Sequence, residues 1–544
     1  MTKKLLALVL VVFIGMSFTV VNNDKLYEIS KNIEIFVKIY KELNANYVDD
    51  LDPGQLMKTG IDAMVKSLDP YTNYMSESQV ESYRISTDGK YEGLGAAVKM
   101  IGDYITVIEP YAGSPLHKAG IIAGDQIISI NGQSTKGKTQ EEVTQFVRGV
   151  AGTSMKLKLM RLSTKEEISI DLDRGQVDKP NVPYSGIIRD HVGYIALTVF
   201  TANATKNIRK AIKQLEREDP ELAGIIIDLR SNGGGLLREA IGICNLFVEQ
   251  DEEVVFTRGK IKERDQSFKT MDKPLDLEIP VTVLINKKSA SASEIVSGVI
   301  QDLDRGVVIG QRSFGKGLVQ NTYELGYNAR VKLTTSKYYI PSGRCIQAVE
   351  YADGKPKDIS DDQRTTFKTK NGRPVLDGGG VTPDIRLEAP EIPMVLEKLI
   401  EQDVIFNYVT KYTNGVAPLD SAEVETIHFD EFPDFVNFVK ANGFEYNTKT
   451  EEKIKELGEL AKEEGLEAQI SSDLASMKSK LDKEKEMAIN NYKDKIINAI
   501  QMEISARYYL QEGKAFQKLS DDPEVDEAIA ILKNKTKYDS ILKK

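Results

Sequence analysis

The sequence predicts a multidomain α/β protein with a β-rich module, a parallel-sheet core and helical regions at both ends. Three observations carry this. Between about Gly186 and Leu387, short apolar runs such as "GIIIDL", "VTVLIN" and "GVVIG" alternate with helical stretches. That is the pattern of strands buried on both faces of a mainly parallel sheet. Between about Tyr91 and Arg174, short strand-like runs are separated by Gly, Pro and Asn. Toward both ends, apolar residues recur at helical spacing.

At the N-terminus, Lys3 and Lys4 precede Leu5–Val21, a run without charge. A positive segment followed by an apolar one reads as an export signal. The length falls between a signal-peptide core and a short membrane span. No A-x-A cleavage site and no lipidation cysteine follows. A cleaved signal and a retained anchor therefore both stand for residues 1–22. Residues 23–88 form a helical region ending in the Pro-containing turn "SLDPYTNYM". In 89–174, "YEGLGAAVKM", "YITVIEP" and "DQIISING" read as strands, "EEVTQFVRG" as a helix and "MKLKLMR" as a closing strand. The core, 175–389, places helices at "LLREAIGICNLF" and "SEIVSGVIQDL" between its strands. In 390–544, residues 450–512 are charged and largely Pro-free, and within them Ile470, Leu474, Met477 and Leu481 follow a 4-3-4 spacing, which predicts a long amphipathic or coiled-coil helix over that stretch.

Composition narrows the function. A net charge of −10 over 544 residues argues against a nucleic-acid binder, which shows a basic face. There are three histidines and two cysteines, with neither CxxC nor HExxH, so no zinc ligand set is visible. Cys244 and Cys345 read as two buried free thiols.

"GQRSFGKGLVQ", Gly310 to Gln320, nearly matches a phosphate-binding loop. The place that should hold Ser or Thr for magnesium is Gly317. Lys316 between two glycines therefore needs another reading. "NKKSASASEIVSG", Asn286 to Gly298, follows one predicted strand and opens a helix, where open α/β sheets build their sites. Ser291 and Glu294 fit the S-x-x-E capping box. A serine at a helix start also has backbone N–H groups beside it, able to stabilise an oxyanion. A serine nucleophile needs a base. His117, His191 and His428 lie in no motif. A neutral lysine can replace histidine, but an ordinary one titrates near ~10.4, so the site must favour its neutral form by about 4 kcal/mol. "DLRSNGGGLL", Asp228 to Leu237, follows another strand, and its glycines allow close backbone approach.

Together "SASASEI", "SFGKGLVQ", "DLRSNGGGLL", "PSGRCIQ" and "DGGGVTPDI" resemble the carboxyl-terminal processing peptidases, or tail-specific proteases. The resemblance covers about Leu26 to Leu387. It implies a serine protease with a Ser/Lys dyad on a core similar to the crotonase and Clp-protease group. On it, Ser291 is the nucleophile, with Ser289 and Ser293 its near neighbours. Lys316, 25 residues on, is the general base, and Gln320 hydrogen-bonds the lysine. The oxyanion hole takes the N–H of Ala292 and of Gly235, in preference to Gly234. The β-rich module resembles a PDZ domain, through "YEGLGAAV" and "SPLHKAGIIAGDQIISING". Gly93, Leu94, Gly95 and Ala96 then hold a peptide's terminal carboxylate, and the peptide adds a strand to the domain's edge. Arg148 is the residue expected to couple tail binding to the active site.

The expectation is an exported, envelope-located endopeptidase on the periplasmic side, secreted or held by its N-terminus. It acts on proteins or peptides with free C-termini, without metal, cofactor or nucleic acid. Its helical regions are candidates for homodimer or adaptor contacts. The rival readings are a PDZ scaffold, or a latent protease that needs an activating partner.

Overall fold

The computed structural model describes residues 25–347, 349–352, 355–358, 360–413, 424 and 426–543. The apolar run Leu5–Val21, and with it the signal or anchor at 1–22, lies outside them. The chain divides into two units.

Of the described residues, the smaller unit holds 25–77, 320–334, 351–352 and 355–357. It contains a helix over 25–46 and another over Pro53–Lys66. Asp52 starts the second by accepting the Gln55 N–H at 3.0 Å, and Pro53 fills its first position, where a missing N–H costs nothing. The strand Asn73–Met75 then pairs antiparallel with Arg330–Lys332.

The larger unit is built on a six-stranded sheet. Its strands are β1 (Tyr184–Ile187), β2 (Val192–Ala196), β3 (Gly224–Asp228), β4 (Val281–Ile285), β5 (Val307–Gly310) and β6 (Ile385–Arg386), in that spatial order. β1 is antiparallel to β2, and the rest run parallel. Every residue of β3 and of β4 is buried, because both sheet faces are covered. On one face lie α1 (Ala204–Glu218), α2 (Leu237–Cys244) and α3 (Ala292–Asp302). The other face is covered from the far end of the chain. The end of α4 (Lys493–Leu519), with α5 (Pro523–Lys533) and α6 (Lys535–Leu542), packs Val525, Ile529, Leu532 and Leu542 on Ile226, Leu284 and Ile309. A Cβ on Gly224 would lie 2.7 Å from Leu532 Cδ2, so the glycine lets α5 sit down on the sheet.

The β-rich module forms a separate antiparallel sheet with Ala96–Ile101 at one edge. Glu109, on its second strand, faces Gln511 of α4, and Lys99 pairs with Asp403 at 2.6 Å. The C-terminal helices thus touch both the module and the core. They correct the expectation of one long helix. The charged stretch breaks at Gly465 (φ 74°) and again at Tyr492, giving Lys449–Glu463, Glu467–Asn491 and α4. Among the described residues no helix is long and apolar enough to cross a membrane.

Candidate active site

Ser291 lies beyond the carboxyl end of β4 and directly before α3. Its backbone has φ 56° and ψ −112°, a conformation that costs a non-glycine residue of order 1–3 kcal/mol. Glu294 helps hold it. The Ser291 N–H donates to Glu294 Oε2 at 2.7 Å, the carboxylate half of the capping box. The same oxygen accepts the Lys316 N–H at 2.8 Å. Glu294 Oε1 accepts Ser313 Oγ–H at 2.5 Å and the Gly315 N–H at 2.6 Å. Burial raises this carboxyl above its ordinary range, against the pull of the four donors. A second bridge is Tyr338, whose hydroxyl lies 2.6 Å from the Lys316 carbonyl and 3.1 Å from the Ser291 carbonyl and donates to them. The main chains of Ser291 and Lys316 are thus tied to one carboxylate and to one phenol.

The three serines of S-A-S-A-S separate by environment. Ser289 Oγ donates to the Leu229 carbonyl at 2.8 Å, and Ser293 Oγ to the Asn232 carbonyl at 2.8 Å. Both side chains are buried and spent on the "DLRSNGGGLL" turn. Ser291 between them is partly exposed. The glycine turn packs against it: a Cβ on Gly234 would lie 2.8 Å from Ser291 Cβ and 2.9 Å from Ala292 N. The Gly234 N–H is already engaged by Asn232 Oδ1 at 2.9 Å, so Gly235 is the next donor along the turn. A Cβ on Gly235 would meet the Phe200 carbonyl oxygen at 2.4 Å, so only glycine fits. Ala292, first residue of α3, has its N–H outside the intrahelical ladder.

The lysine loop has no phosphate-loop architecture, because the element after it is the strand Leu318–Gly326 and not a helix. Its glycines serve packing. A Cβ on Gly310 would lie 2.2 Å from the Ile285 carbonyl oxygen, and one on Gly317 would lie 2.6 Å from Gln347 N. Gln347, from "PSGRCIQ", accepts the Gly317 N–H at 2.7 Å. In the same motif Arg344 pairs with Asp302 at 2.8 Å, both side chains fully buried. Gln320 belongs to the smaller unit, where its Nε2 donates to Thr334 Oγ1 at 3.2 Å. Two of the three histidines have partners elsewhere: His191 pairs with Asp219 at 2.7 Å, and His117 Nδ1 accepts the Gly113 N–H at 3.2 Å. Cys244 and Cys345 are free thiols, both pushed up by burial. Among the described residues no His, Cys, Asp or Glu cluster has a metal-holding arrangement.

In the β-rich module, Gly93 pairs with Gly175, Leu94 is buried and Gly95 takes φ 84°. The Gly95 carbonyl accepts from Ser114 Oγ at 2.7 Å and from the Tyr111 N–H at 3.0 Å. Ala96 then opens the edge strand, which among the described residues pairs with another strand on one side only. The helix Gln140–Val147 begins with a complete Thr139/Glu142 capping box and ends at Arg148, whose Nη1 lies 3.4 Å from Ser82 Oγ.

Two residues were beyond sequence reasoning. Tyr338 belongs to no motif quoted above. Glu294 was legible as a capping residue, but nothing in the S-x-x-E spacing shows that it also gathers the lysine loop.

A model of peptidase family S41 matches residues 191–360, and a PDZ domain model matches 106–161. A third, described as a probable PDZ-protease C-terminal helical domain, matches 395–532. These define a serine-type protease carrying a PDZ domain, a module that binds peptides. The chain is 36% identical over 357 residues to the carboxy-terminal-processing protease of Bartonella bacilliformis, covering 64% of this chain and 81% of that protein. To the carboxy-terminal processing protease CtpB of Bacillus subtilis it is 34% identical over 322 residues, covering 59% of this chain and 66% of that one. Among solved structures, the photosystem II D1 C-terminal processing protease aligns with 24% identity and a TM-score of 0.35, over 66% of this chain and 94% of that chain. The chain belongs to the carboxy-terminal processing protease family.

Proposed function

We propose that this protease cuts by a Ser291/Lys316 dyad. Ser291 Oγ attacks the scissile carbonyl carbon and gives its proton to neutral Lys316 Nζ. The N–H groups of Ala292 and Gly235 hold the oxyanion. Lys316 then passes the proton to the leaving amine, the C–N bond breaks, and an ester to Ser291 remains. Water, giving its proton to Lys316, attacks that ester and the serine is restored. Gln320, four residues after Lys316, is assigned by that spacing to hydrogen-bond the lysine. The observation that carries the reading is the double tie of the Ser291 and Lys316 main chains to Glu294 Oε2 and Tyr338 Oη. A serine-directed acylating probe tests it. The label should map to Ser291, and Lys316→Ala should abolish labelling; a label on Ser289 or Ser293 would contradict it.

Substrates enter tail first. The carboxylate is held by backbone N–H groups at Gly93–Ala96, and the tail pairs with the Ala96–Ile101 edge. Arg148, at the end of the flanking helix, couples tail binding to cleavage. Arg148→Ala should remove activation by a free-tail peptide, and undiminished activation would rule the coupling out.

The enzyme is exported to the cell envelope, on the periplasmic side, with residues 1–22 as its signal or anchor. Lys3, Lys4 and the apolar Leu5–Val21 support this. Sequencing the N-terminus of the protein from fractionated cells tests it. The helix over 25–46 leaves Leu26, Ile29, Ile33, Phe36 and Ile39 exposed, which supports a homodimer through the N-terminal region. Light scattering of the protein and of an Ile33→Glu variant tests that.

A further inference from the structure

The glycine turn that carries Gly235 is gripped from the other end of the chain. It begins at Asp228, the last residue of β3, and Arg230 two residues on. The Arg230 guanidinium is surrounded by three carboxylates. Nη2 lies 2.6 Å from Asp228 and 2.8 Å from Asp522, and Nη1 lies 2.9 Å from Asp522 and 2.5 Å from Glu524. All four side chains are 5–7% exposed. Tyr194 donates its hydroxyl to Asp228 at 2.6 Å. The remaining Glu524 oxygen accepts from Gln311 Nε2, just after β5 on the loop that leads to Lys316. Asp522 and Glu524 stand at the start of α5, and Asp522 also caps that helix through the Glu524 and Val525 N–H groups. One helix start therefore holds both the glycine turn, through Arg230, and the lysine loop, through Gln311. On the turn itself, Asn232 supplies a second anchor: its Nδ2 donates to the Leu197 carbonyl, and its carbonyl accepts the Ala290 N–H beside Ser291.

We propose that Asp522 and Glu524 are positioning residues for the oxyanion turn, so that the C-terminal helical region sets how well Gly235 meets the oxyanion formed at Ser291. The proposal rests on the assignment of Ser291 and Gly235 made above. The charge balance of the cluster makes it testable. Three carboxylates face one guanidinium, so neutralising two still leaves Arg230 paired with Asp228 and no buried charge alone. Asn at 522 keeps an oxygen for the helix cap. Removing α5 outright is not a usable test, since it would strip Val525, Ile529 and Leu532 from the sheet.

The test compares wild type with the Asp522→Asn/Glu524→Gln double variant and with Glu524→Gln alone, in the full chain. Expected is a fall in kcat of about tenfold or more for the double variant, and a smaller one for the single, at near-constant KM and melting temperature. Affinity for a peptide boronic acid, whose tetrahedral adduct puts an oxygen in the hole, should fall by the same factor as kcat/KM. A merely structural role would not make those two quantities move together. Wild-type kcat in both variants would overturn the proposal. So would a loss of kcat with unchanged boronate affinity. If the double variant does not fold, the single variant carries the same two readouts. Ser291→Ala separates the two levels. Retained cleavage there removes the dyad reading itself, whereas a dead Ser291→Ala beside a fully active double variant removes only the positioning role.

Discussion

Replacing Glu294 with Gln tests the link between the serine and the lysine loop. The carboxylate accepts four donors, from Ser291 N, Lys316 N, Gly315 N and Ser313 Oγ, in a fully buried place. Gln offers one oxygen, and turns an NH2 toward the donors on the other side. Two donors then lose their acceptor. Each unsatisfied buried donor costs about 1–3 kcal/mol, so the loss is about 2–6 kcal/mol. Part is offset, because burial already disfavours the charge that Gln removes. A net loss of about 2–4 kcal/mol is large beside a typical total of about 5–15 kcal/mol. The effect on rate should be steeper than on folding. If the amide faces Ser313 and Gly315, the lysine loop loses one of its two anchors; if it faces Ser291 and Lys316, the oxygen they share is itself lost, and a misplacement of about 1 Å can cost about 100-fold. Urea unfolding gives the first quantity, and kcat on an unfolded substrate, at a temperature where the variant is folded, gives the second. A variant with wild-type unfolding midpoint and wild-type kcat would refute the reasoning.

Three further outcomes are expected. Gly235→Ala should lower kcat by about 100-fold or more, the scale of losing one oxyanion donor, because its Cβ collides with the Phe200 carbonyl; an unchanged kcat would place the hole elsewhere. Gly95→Ala should weaken binding of a free-tail peptide while leaving a C-terminally amidated control unaffected, since φ 84° and a Cβ 2.3 Å from Ser114 Cβ distort the carboxylate loop; calorimetry reads both. Glu109, pushed up to about 7 mainly by burial, faces Gln511, Lys514, Glu503 and Arg507. Its folded form holds a proton more tightly than the unfolded chain, so its contribution is full below about pH 4.5 and is lost as pH rises through 7, by about 3 kcal/mol. Thermal melts across that range should show the decline, and Glu109→Gln should flatten it.

The strands of the core were legible because continuous apolar runs such as Gly224–Ile227 have no polar side to misplace. The serine-bearing turn was legible because a strand, a capping box and a helix follow one another within a dozen residues. What covers the second face of the sheet was not legible. Val525, Ile529 and Leu532 make an apolar stripe, but a stripe does not name the strand it packs on, here some 300 residues earlier. The same distance hid Arg230 from Asp522 and Glu524. The 4-3-4 spacing at Ile470–Leu481 was real, and the error lay in extending one helix across Gly465 and Tyr492. The likeness of the lysine loop to a phosphate loop lies in its glycines, which answer backbone contacts at Ile285 and Gln347 instead of a phosphate.

The central claim is the dyad, and the direct measurement is cleavage of an unfolded protein with a free apolar C-terminus. Wild type, Ser291→Ala and Lys316→Ala are compared, each shown to be folded by its melting curve. Wild type should cut, and both variants should lose at least about 1,000-fold in kcat. Retained cleavage by a folded Ser291→Ala protein would contradict the dyad.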